Sequence, residues 1–396
     1  MAPGIGTPMA AFDVDVVVLG GGCAGLSLGI ALANASPPSA CPLKVAILEA
    51  RPAYTHDRTW CFWTTEVTDL QAIGGLVSHA WHFLRVGAAD ANAVLLDYQS
   101  RPYVMVNSLQ FYHHALTTLA GTPHINVRLD QRVTRCEPVG DAWHVHTPTE
   151  TLRCKAVVDT RPLALPVQGG ALLWQSFYGM EIECEQAVFS ADCADLMDFA
   201  RPSDKRITFT YVLPTSAHRA LIELTVFSPQ PLGPELLGAQ LDVVVARLTR
   251  GAKFTCLRTE HGVLPMGAVA PLPPARRNYI YAGLTAGGAR AATGYAFVRI
   301  QRWALACAQA LARGQAPIGH APDSWLQSRM DTLFLHVIRA HPELAPALFL
   351  ALFRRAGAAR MARFLSDQAS PLDVAAIVAA LPPTPFLRQL LRNAWA

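Results

Sequence analysis

The sequence predicts a mixed α/β (α+β) fold, and three features of its 396 residues support that prediction. An apolar run of β-branched residues near the start of the chain leads into glycines, a helix and a second strand. Alternating apolar segments, typical of antiparallel strands, fill the middle of the chain, and the last part has a helical pattern. We therefore expect a flexible N-terminal tail over 1–12, a Rossmann-type domain over 13–165 with 255–320, an antiparallel-sheet substrate domain over 166–254, and a helical region over 321–396.

The N-terminal unit has the arrangement of a dinucleotide-binding site. A strand leads into the turn Gly20-x-Gly22-x-x-Gly25, and a second strand over 44–48 ends in Glu49. In such a unit the first glycine forms the turn, the second lets backbone amides approach a pyrophosphate, and the third lets the helix touch the strand. The acidic residue accepts a hydrogen bond from a ribose hydroxyl. The cofactor-binding residues that this pattern predicts are Gly20, Gly22, Ala24, Gly25 and Glu49.

FAD fits this unit better than a nicotinamide cofactor. The unit begins a much longer chain, no second GxGxxG motif follows it, and an acidic ribose partner disfavours a 2′-phosphate. A later glycine-rich turn, between a strand over 279–283 and a helix over 295–313, can direct backbone amides at the same cofactor. Arg58 can donate two hydrogen bonds to the pyrophosphate, although a surface position suits it equally. The residues expected in this second group are Arg58, Gly283, Gly287, Gly288 and Thr293.

The composition indicates contact with apolar material. Hydrophobic residues make up 52% of the chain and charged residues 16%, whereas about a quarter of a typical soluble chain is charged. No run of about 18 apolar residues is free of charge and proline, so we expect a greasy substrate or a membrane-lying surface rather than a transmembrane helix. The net charge of +4 gives no indication of a nucleic-acid partner. Nine cysteines without a zinc spacing, and scattered histidines, predict reduced thiols in the cytoplasm and no metal site.

Two stretches contain candidate substrate contacts. Trp60, Phe62 and Trp63 follow a polar segment and either line a pocket or belong to the core. A strand over 220–227, predicted to pair with 206–213, places Glu223 among apolar residues on one face. The pattern by itself leaves two positions open for Glu223, solvent or an apolar pocket, and favours solvent. In a pocket, desolvation would raise its pKa and let it act as an acid near neutral pH.

The C-terminal region combines basic and apolar residues. Residues 344–366 contain four arginines and no acidic residue. This composition fits helices that lie in a membrane interface, or a helical subdomain whose apolar face covers the core, and the two are compatible. The same pattern returns between 386 and 392.

Several motifs, in this order along the chain, resemble those of the flavin-dependent bacterial lycopene cyclases of carotenoid biosynthesis. The resemblance extends from about Asp13 to about Phe386 and is far more specific than the glycine turn alone. The motifs are Asp57–Trp63, Asp159–Pro162, Trp174-Gln175, Tyr211–Pro214 with Leu221–Thr225, Gly262–Met266, Ala292–Phe297, Asp331–Leu335 and Leu381–Phe386.

The resemblance implies a reaction without net oxidation or reduction. Lycopene cyclases need FAD in its reduced form, with NAD(P)H as reductant, and close the linear ends of lycopene into β-ionone rings, which gives γ-carotene and β-carotene. Glu223 matches the essential acidic residue of the family. Either Glu223 protonates the terminal double bond, or the reduced flavin does so with assistance from Glu223. One departure is Leu224, at a position where the family often has an acid.

The resemblance also implies a membrane surface as partner, helices of the C-terminal region that face it, and a cytoplasmic protein peripherally associated with the membrane. The residues expected around the carotenoid are Trp60, Phe62, Trp63, Trp174 and Thr225. An alternative within enzymes is an FAD-dependent monooxygenase or prenyl reductase that acts on a lipid or isoprenoid, which would consume reduced cofactor in stoichiometric amount. An alternative outside enzymes is a carotenoid- or lipid-binding protein without turnover.

Overall fold

The computed structural model describes residues 12–35, 42–64, 74–89, 91–201, 205–268, 273 and 276–394, so the expected tail over 1–12 lies outside them except for Phe12. The strands are β1 (Val14–Leu19), β2 (Val45–Leu48), β3 (Thr59–Trp63), β4 (Val77–Trp81), β5 (Phe83–Ala88), β6 (Ala91–Asp97), β7 (Tyr103–Asn107), β8 (Ile125–Arg128), β9 (Arg135–Val139), β10 (Ala142–His146), β11 (Thr151–Asp159), β12 (Ala171–Cys184), β13 (Cys193–Phe199), β14 (Ile207–Pro214), β15 (Arg219–Ser228), β16 (Phe254–Ala268) and β17 (Tyr279–Tyr281). The helices are α1 (Cys23–Asn34), α2 (Ser108–Ala120), α3 (Pro234–Thr249), α4 (Phe297–Ala312), α5 (Trp325–Ala340), α6 (Ala345–Ala356), α7 (Ala358–Leu365), α8 (Pro371–Ala380) and α9 (Pro383–Ala394).

The first seven-stranded sheet has the parallel core of a Rossmann-type fold. Its strands lie in the order β8-β2-β1-β11-β10-β9, and β17 pairs with the C-terminal end of β11. β8, β2, β1, β11 and β17 run parallel, whereas β9 and β10 are antiparallel additions. α1, α2 and α4 share a hydrophobic core with one face of this sheet. The prediction of a Rossmann-type unit at the start of the chain is confirmed.

The second seven-stranded sheet is antiparallel except for one pair. Its order is β16-β12-β15-β14-β13-β5-β6, and only β13 and β5 are parallel among these described strands. The predicted hairpin over 206–213 and 220–227 is confirmed as β14 and β15. β5, β6 and β16 join this sheet from outside residues 166–254, so the expected domain boundaries do not coincide with it. Pairing between segments far apart in sequence leaves no local pattern, which explains the difference.

Different helices cover the two faces of the second sheet. α3 covers one face, where Ile222 and Leu224 of β15 share a core with Leu237. α5 and α6 cover the other face, which carries Leu221. Alternation along β15 places Glu223 on this second face. The solvent position that the pattern favours for Glu223 is therefore wrong, because helices from the C-terminal region cover the strand.

A three-stranded sheet, β3-β7-β4, holds the aromatic stretch and leads into α2. The N-cap of α2 is Asn107, whose side chain accepts hydrogen bonds from the backbone N–H groups of Leu109 and Gln110. Ser108, the first residue of α2, is buried, and its hydroxyl accepts a hydrogen bond from the Arg58 N–H at 3.1 Å.

The apolar sides of α6 and α7 pack into the core of the second sheet, which is the covering role that the sequence left open. Buried ion pairs tie the C-terminal region to the rest: Arg290 forms two hydrogen bonds of 3.0 Å with Asp331, and Arg299 binds Asp323 and Asp367. Within the described ranges, no single helix is both long and apolar enough to cross a membrane. By length and composition, α8 and α9 meet that criterion only as a pair, bent by 96°.

Candidate active site

The glycine turn after β1 forms a cradle at the start of α1. Gly20 has a φ of +98°, a left-handed value that favours glycine. A Cβ on Gly25 would lie 2.0 Å from the Gly20 carbonyl oxygen, so helix and turn meet without room for a side chain. A Cβ on Gly22 would meet no atom of the described residues within 4 Å. Open space in front of the first amides of a helix suits a pyrophosphate group.

Glu49 ends β2 beside this cradle and is 7% exposed. Its carboxylate accepts hydrogen bonds from the Gly21 N–H (2.8 Å), from the Arg51 N–H (2.9 Å) and from the Arg51 guanidinium. Burial alone would raise the pKa of this carboxyl, but the donors hold it below its ordinary value. The ionised side chain is suited to a ribose hydroxyl. The sequence analysis missed Arg51, whose signal is a base two residues after the acid.

The second glycine turn lies against the first. Gly283 has a φ of +87°, and a Cβ there would lie 3.1 Å from the Thr160 carbonyl oxygen and 3.5 Å from the Ala24 Cβ. A Cβ on Gly288 would lie 2.6 Å from the Gly283 carbonyl oxygen. The structure therefore brings Ala24, Gly283 and Gly288 together at the C-terminal end of the parallel strands.

His320 supports this second turn and has no motif spacing that would identify it in the sequence. Its Nε2 accepts a hydrogen bond from the Gly283 N–H at 3.0 Å. Burial, and then the charge of Arg299, lower the pKa of the imidazole to about 4. The ring is therefore neutral at physiological pH and keeps one nitrogen free to accept the bond.

Three residues predicted at the cofactor have different surroundings. Arg58 is exposed, and its guanidinium donates to the Asp57 carbonyl oxygen at 2.7 Å. Gly287, with a φ of +93°, packs against His320. Thr293 lines a large apolar cavity rather than the glycine cradle. Cofactor contact by these three residues stays a prediction.

The cavity has a volume of about 350 Å³ and lies between the second sheet and the C-terminal helices. Tyr211 and Phe227 line it from the sheet, and Phe334 and Phe386 from the helices. Gln175 also faces it, and the Gln175 Oε1 atom is buried without a hydrogen-bond partner among the described residues. A buried polar atom of this kind is available to a ligand.

Glu223 is not itself one of the residues that line this cavity, but it lies directly opposite Tyr211, which does, on the neighbouring strand. The hydroxyl of Thr225, which is fully buried, donates to Glu223 Oε1 at 2.7 Å. Burial, followed by the repulsion of the nearby Glu260 carboxylate, raises the pKa of Glu223 to about 8. Glu223 is therefore mostly protonated at neutral pH. Leu224 faces α3 on the opposite side of the sheet, so the departure at that position does not alter the surroundings of Glu223.

A second carboxylate, which the sequence analysis missed, approaches Glu223 across the sheet. Strand register places Glu223, Gly179 and Glu260 opposite one another on β15, β12 and β16. A Cβ on Gly179 would lie 3.6 Å from the Glu223 Cβ and 3.2 Å from the Glu260 Cγ. The two acidic side chains therefore converge over a glycine. No local pattern identifies such a pair, because register across three strands decides it.

β3 divides the expected aromatic residues between two cores. Trp60 and Phe62 stack on Phe297, each at 5.2 Å between ring centroids, in the core of the first sheet. Trp63 packs in the core of the second sheet, with its ring 5.5 Å from that of Tyr295. Tyr295 lines the cavity, so Trp63 is the ring that lies beside a cavity residue.

Trp174 is buried on the face of β12 that is opposite to Gly179, because alternate residues of a strand point to opposite sides. The structure therefore does not bring Trp174 together with Glu223. Besides the phenylalanines of the cavity, the aromatic residues that were not predicted include Tyr211 and Tyr295, which line the cavity, and Tyr103, whose hydroxyl lies 3.4 Å from that of Tyr295.

The model of one protein family, described as lycopene cyclase protein, matches residues 15–391. No curated protein matches the chain by sequence. Solved structures that share the fold include the following three. A geranylgeranyl bacteriochlorophyll reductase-like protein from Thermoplasma acidophilum has 13% identity and a TM-score of 0.59, over 93% of this chain and 95% of the other. HpxO from Klebsiella pneumoniae, complexed with FAD and uric acid, has 14% identity and a TM-score of 0.57, over 91% and 98%. The p-nitrophenol 4-monooxygenase PnpA from Pseudomonas putida has 14% identity and a TM-score of 0.54, over 96% and 97%.

Proposed function

This chain belongs to the lycopene cyclase family, and we propose that it is an enzyme that closes the linear ends of lycopene into β-ionone rings, yielding γ-carotene and β-carotene. The observation that carries the proposal is the carboxyl group of Glu223, which holds a proton at neutral pH and lies opposite Tyr211, a residue that lines the apolar cavity. A protonated acid of this kind can protonate a carbon–carbon double bond without any change in the oxidation state of the substrate.

The two glycine turns supply the residues that would hold FAD. The open space at Gly22 suits the pyrophosphate, Glu49 suits a ribose, and Gly283 with Gly288 forms the second turn. When bound and kept reduced by NAD(P)H, FAD supplies an electron-rich ring that stabilises a nearby positive charge.

Glu223 starts the proposed reaction by donating its proton to the terminal double bond of lycopene. The neighbouring double bond then attacks the resulting tertiary carbocation and closes a six-membered ring. A ring carbon loses a proton, which the Glu223 carboxylate accepts, so the residue returns to its starting state and no proton is consumed. The hydrogen bond from Thr225 holds the Glu223 carboxyl in one orientation throughout.

The cavity lining protects the cationic intermediate. Phe227, Phe334 and Phe386 exclude water, which would otherwise trap the cation as an alcohol. Tyr211 and Tyr295 also line the cavity, and their aromatic rings can attract positive charge.

The surface formed by α8 and α9 supports docking on a membrane, from which the C40 substrate would enter the cavity. Val378, Leu387 and Leu390 line the cavity and are also 55%, 57% and 50% exposed, so the cavity opens on this surface. Arg388 and Arg392 are exposed beside them and can meet anionic lipid headgroups. On this basis we propose a peripheral association with the cytoplasmic face of the membrane.

The function is tested by expression in a lycopene-accumulating bacterium, with pigment mass and absorption as readouts. Wild-type protein is expected to give cyclic pigments of unchanged mass, and Glu223→Gln at least about 100-fold less. Glu183→Gln is the matched control, because Glu183 lies exposed on β12. Pigments heavier by two hydrogens or by one oxygen would instead identify a prenyl reductase or a monooxygenase. Unchanged lycopene with bound flavin would identify a binding protein.

Membrane docking is tested by flotation with anionic phospholipid vesicles. Leu387→Asp together with Leu391→Asp is expected to abolish flotation, because both leucines are exposed on α9. Leu95→Asp is the control, since Leu95 is 64% exposed on the distant strand β6. Equal flotation of the two variants would refute docking through α9.

A further inference from the structure

The side chain of Glu260 lies beside that of Glu223, across Gly179. Glu260 is 4% exposed, and its carboxylate accepts hydrogen bonds from Arg258 Nη1 at 2.5 Å and from the Thr59 hydroxyl at 2.9 Å. The same arginine donates to Thr59 through Nη2 at 2.7 Å. Hydrogen bonds from a guanidinium and a hydroxyl stabilise the negative charge of this carboxylate.

Arg258 donates hydrogen bonds to two carboxylates, those of Glu260 and Glu181, and the Glu260 carboxylate is the one that lies beside Glu223. Arg258 Nε donates to Glu181 at 2.5 Å, and Arg219 donates to Glu181 at 2.7 Å. Two arginines and two carboxylates make this network neutral as a whole. Its member that converges on Glu223 over Gly179 is Glu260, so Glu223 experiences a nearby negative charge more strongly than the positive charge behind it.

Among the described residues, two further titratable groups interact with Glu223 and are uncharged at neutral pH, Cys61 from β3 and Tyr211 from β14. Tyr211 in turn interacts with Tyr295 from the segment before α4. Burial raises the pKa of the Cys61 thiol and of both tyrosine hydroxyls above their ordinary values. Glu260 and Arg258 are therefore the charges from these elements that act on the proton of Glu223.

We propose that Glu260 is a positioning residue for the acid: its fixed negative charge keeps Glu223 protonated before reaction and then faces the positive charge that the substrate acquires. The proton that moves belongs to Glu223 throughout. The two carboxylates have opposite surroundings and different roles: Glu223 acts as the acid and Glu260 as the counter-ion. The reaction step of this inference rests on the proposed cyclisation, whereas the effect on the proton of Glu223 does not.

The test is a pH titration of the Glu223 carboxyl in the FAD-bound protein by infrared difference spectroscopy, with the Glu223→Gln spectrum used to assign the band. Glu260→Gln is expected to lower the titration midpoint by about one pH unit or more, because it removes a negative charge and releases Arg258. Arg258→Gln is expected to raise the midpoint. Damage to the fold would move the two midpoints in the same direction, so opposite shifts distinguish an electrostatic role from a structural one.

Glu183→Gln serves as the control and leaves the midpoint unchanged, because Glu183 lies exposed on the same strand as Gly179. An unchanged midpoint in Glu260→Gln, or in Arg258→Gln should the first variant not fold, overturns the inference. In the cyclisation assay, Glu260→Gln is expected to lose activity at a lower pH than wild type, and Glu260→Asp to restore part of the wild-type profile. Since the spectroscopic titration needs no carotenoid, shifted midpoints without cyclisation would overturn the proposed function and leave this inference standing.

Discussion

Glu49 and Glu223 are the same side chain in two opposite surroundings. Glu49 ends a parallel strand of the first sheet, where hydrogen bonds from Gly21 and Arg51 keep its pKa below the ordinary value. Glu223 lies within an antiparallel strand of the second sheet, where burial and the neighbouring Glu260 raise its pKa to about 8. The first region is built to accept hydrogen bonds and the second to hold a proton. Under the proposed function, surroundings rather than residue type assign Glu49 to cofactor binding and Glu223 to acid chemistry.

The largest effect on the free energy of unfolding is expected from a substitution between the second glycine turn and α5. Arg290 follows the second glycine turn, is 2% exposed, and binds Asp331 of α5, which is 3% exposed. Arg290→Met would leave the Asp331 charge buried without its partner, at a cost of about 3–5 kcal/mol in the free energy of unfolding. Urea denaturation measures this loss, with Arg354→Met, an exposed arginine of α6, as the control. A loss equal to that of the control would show that the helices cover the second sheet without this tie.

Two glycine substitutions, with the next largest expected effect on stability, distinguish packing from cofactor binding within the first region. Gly25→Ala would place a Cβ 2.0 Å from the Gly20 carbonyl oxygen and is expected to cost about 3 kcal/mol, the upper end of overpacking penalties. Gly22→Ala meets open space, so its cost in the protein without cofactor should stay below about 1 kcal/mol. Both variants are expected to weaken FAD binding. Urea denaturation and flavin fluorescence titration measure the two quantities, and tight FAD binding by Gly22→Ala would show that the open space is not the pyrophosphate site.

The contrast between the regions also explains what the sequence predicted. The glycine turn and Glu49 belong to one contiguous strand–turn–helix–strand unit, in which spacing along the chain determines spacing in the structure. The hairpin of β14 and β15 is local in the same sense, and it was predicted correctly. The strand pattern singled out Glu223 but favoured a solvent position for it, and only the match to a family motif identified it as the acid.

The remainder of the candidate site depends on contacts between distant segments. Glu260 meets Glu223 only through the register of three strands, and Tyr211 meets Tyr295 only once the turn before α4 reaches the second sheet. The position of Glu223 depends on helices from the end of the chain that cover its face. Aromatic residues in the sequence gave no indication of which core each ring would enter, and β3 sends neighbouring rings to both.

Glu223→Gln is expected to stabilise the protein in a pH-dependent way, which would quantify the difference between the two glutamates. The folded pKa of about 8 exceeds the ordinary value of 4.5, so the folded protein keeps a proton that the unfolded chain releases between these limits. The contribution of Glu223 to stability is therefore complete below about pH 4.5 and is lost as pH rises towards 8. Relative to wild type, the Gln variant should gain about 2 kcal/mol between pH 4.5 and 8, a value reduced from the full shift because the side chain is only half-buried. Urea denaturation at both pH values measures the gain, and a gain of equal size at pH 4.5 would contradict the raised pKa.

The substitution with the smallest expected effect on stability tests whether the absence of a side chain at Gly179 affects the proton of Glu223. In Gly179→Ala the new Cβ would lie 3.2 Å from both Glu260 Cγ and Leu221 Cδ1, so these neighbours must move by a few tenths of an ångström, at a cost of about 1 kcal/mol. Because the methyl group separates the two carboxylates, the midpoint of the Glu223 titration should fall in the same direction as in Glu260→Gln, but by less. Gly238→Ala is the control, since a Cβ there would make only ordinary contacts of 3.7 Å or more with Tyr178. A fall in stability with no change in midpoint would mean that Gly179 serves packing alone, and the proton on Glu223 would then depend on burial more than on the distance to Glu260.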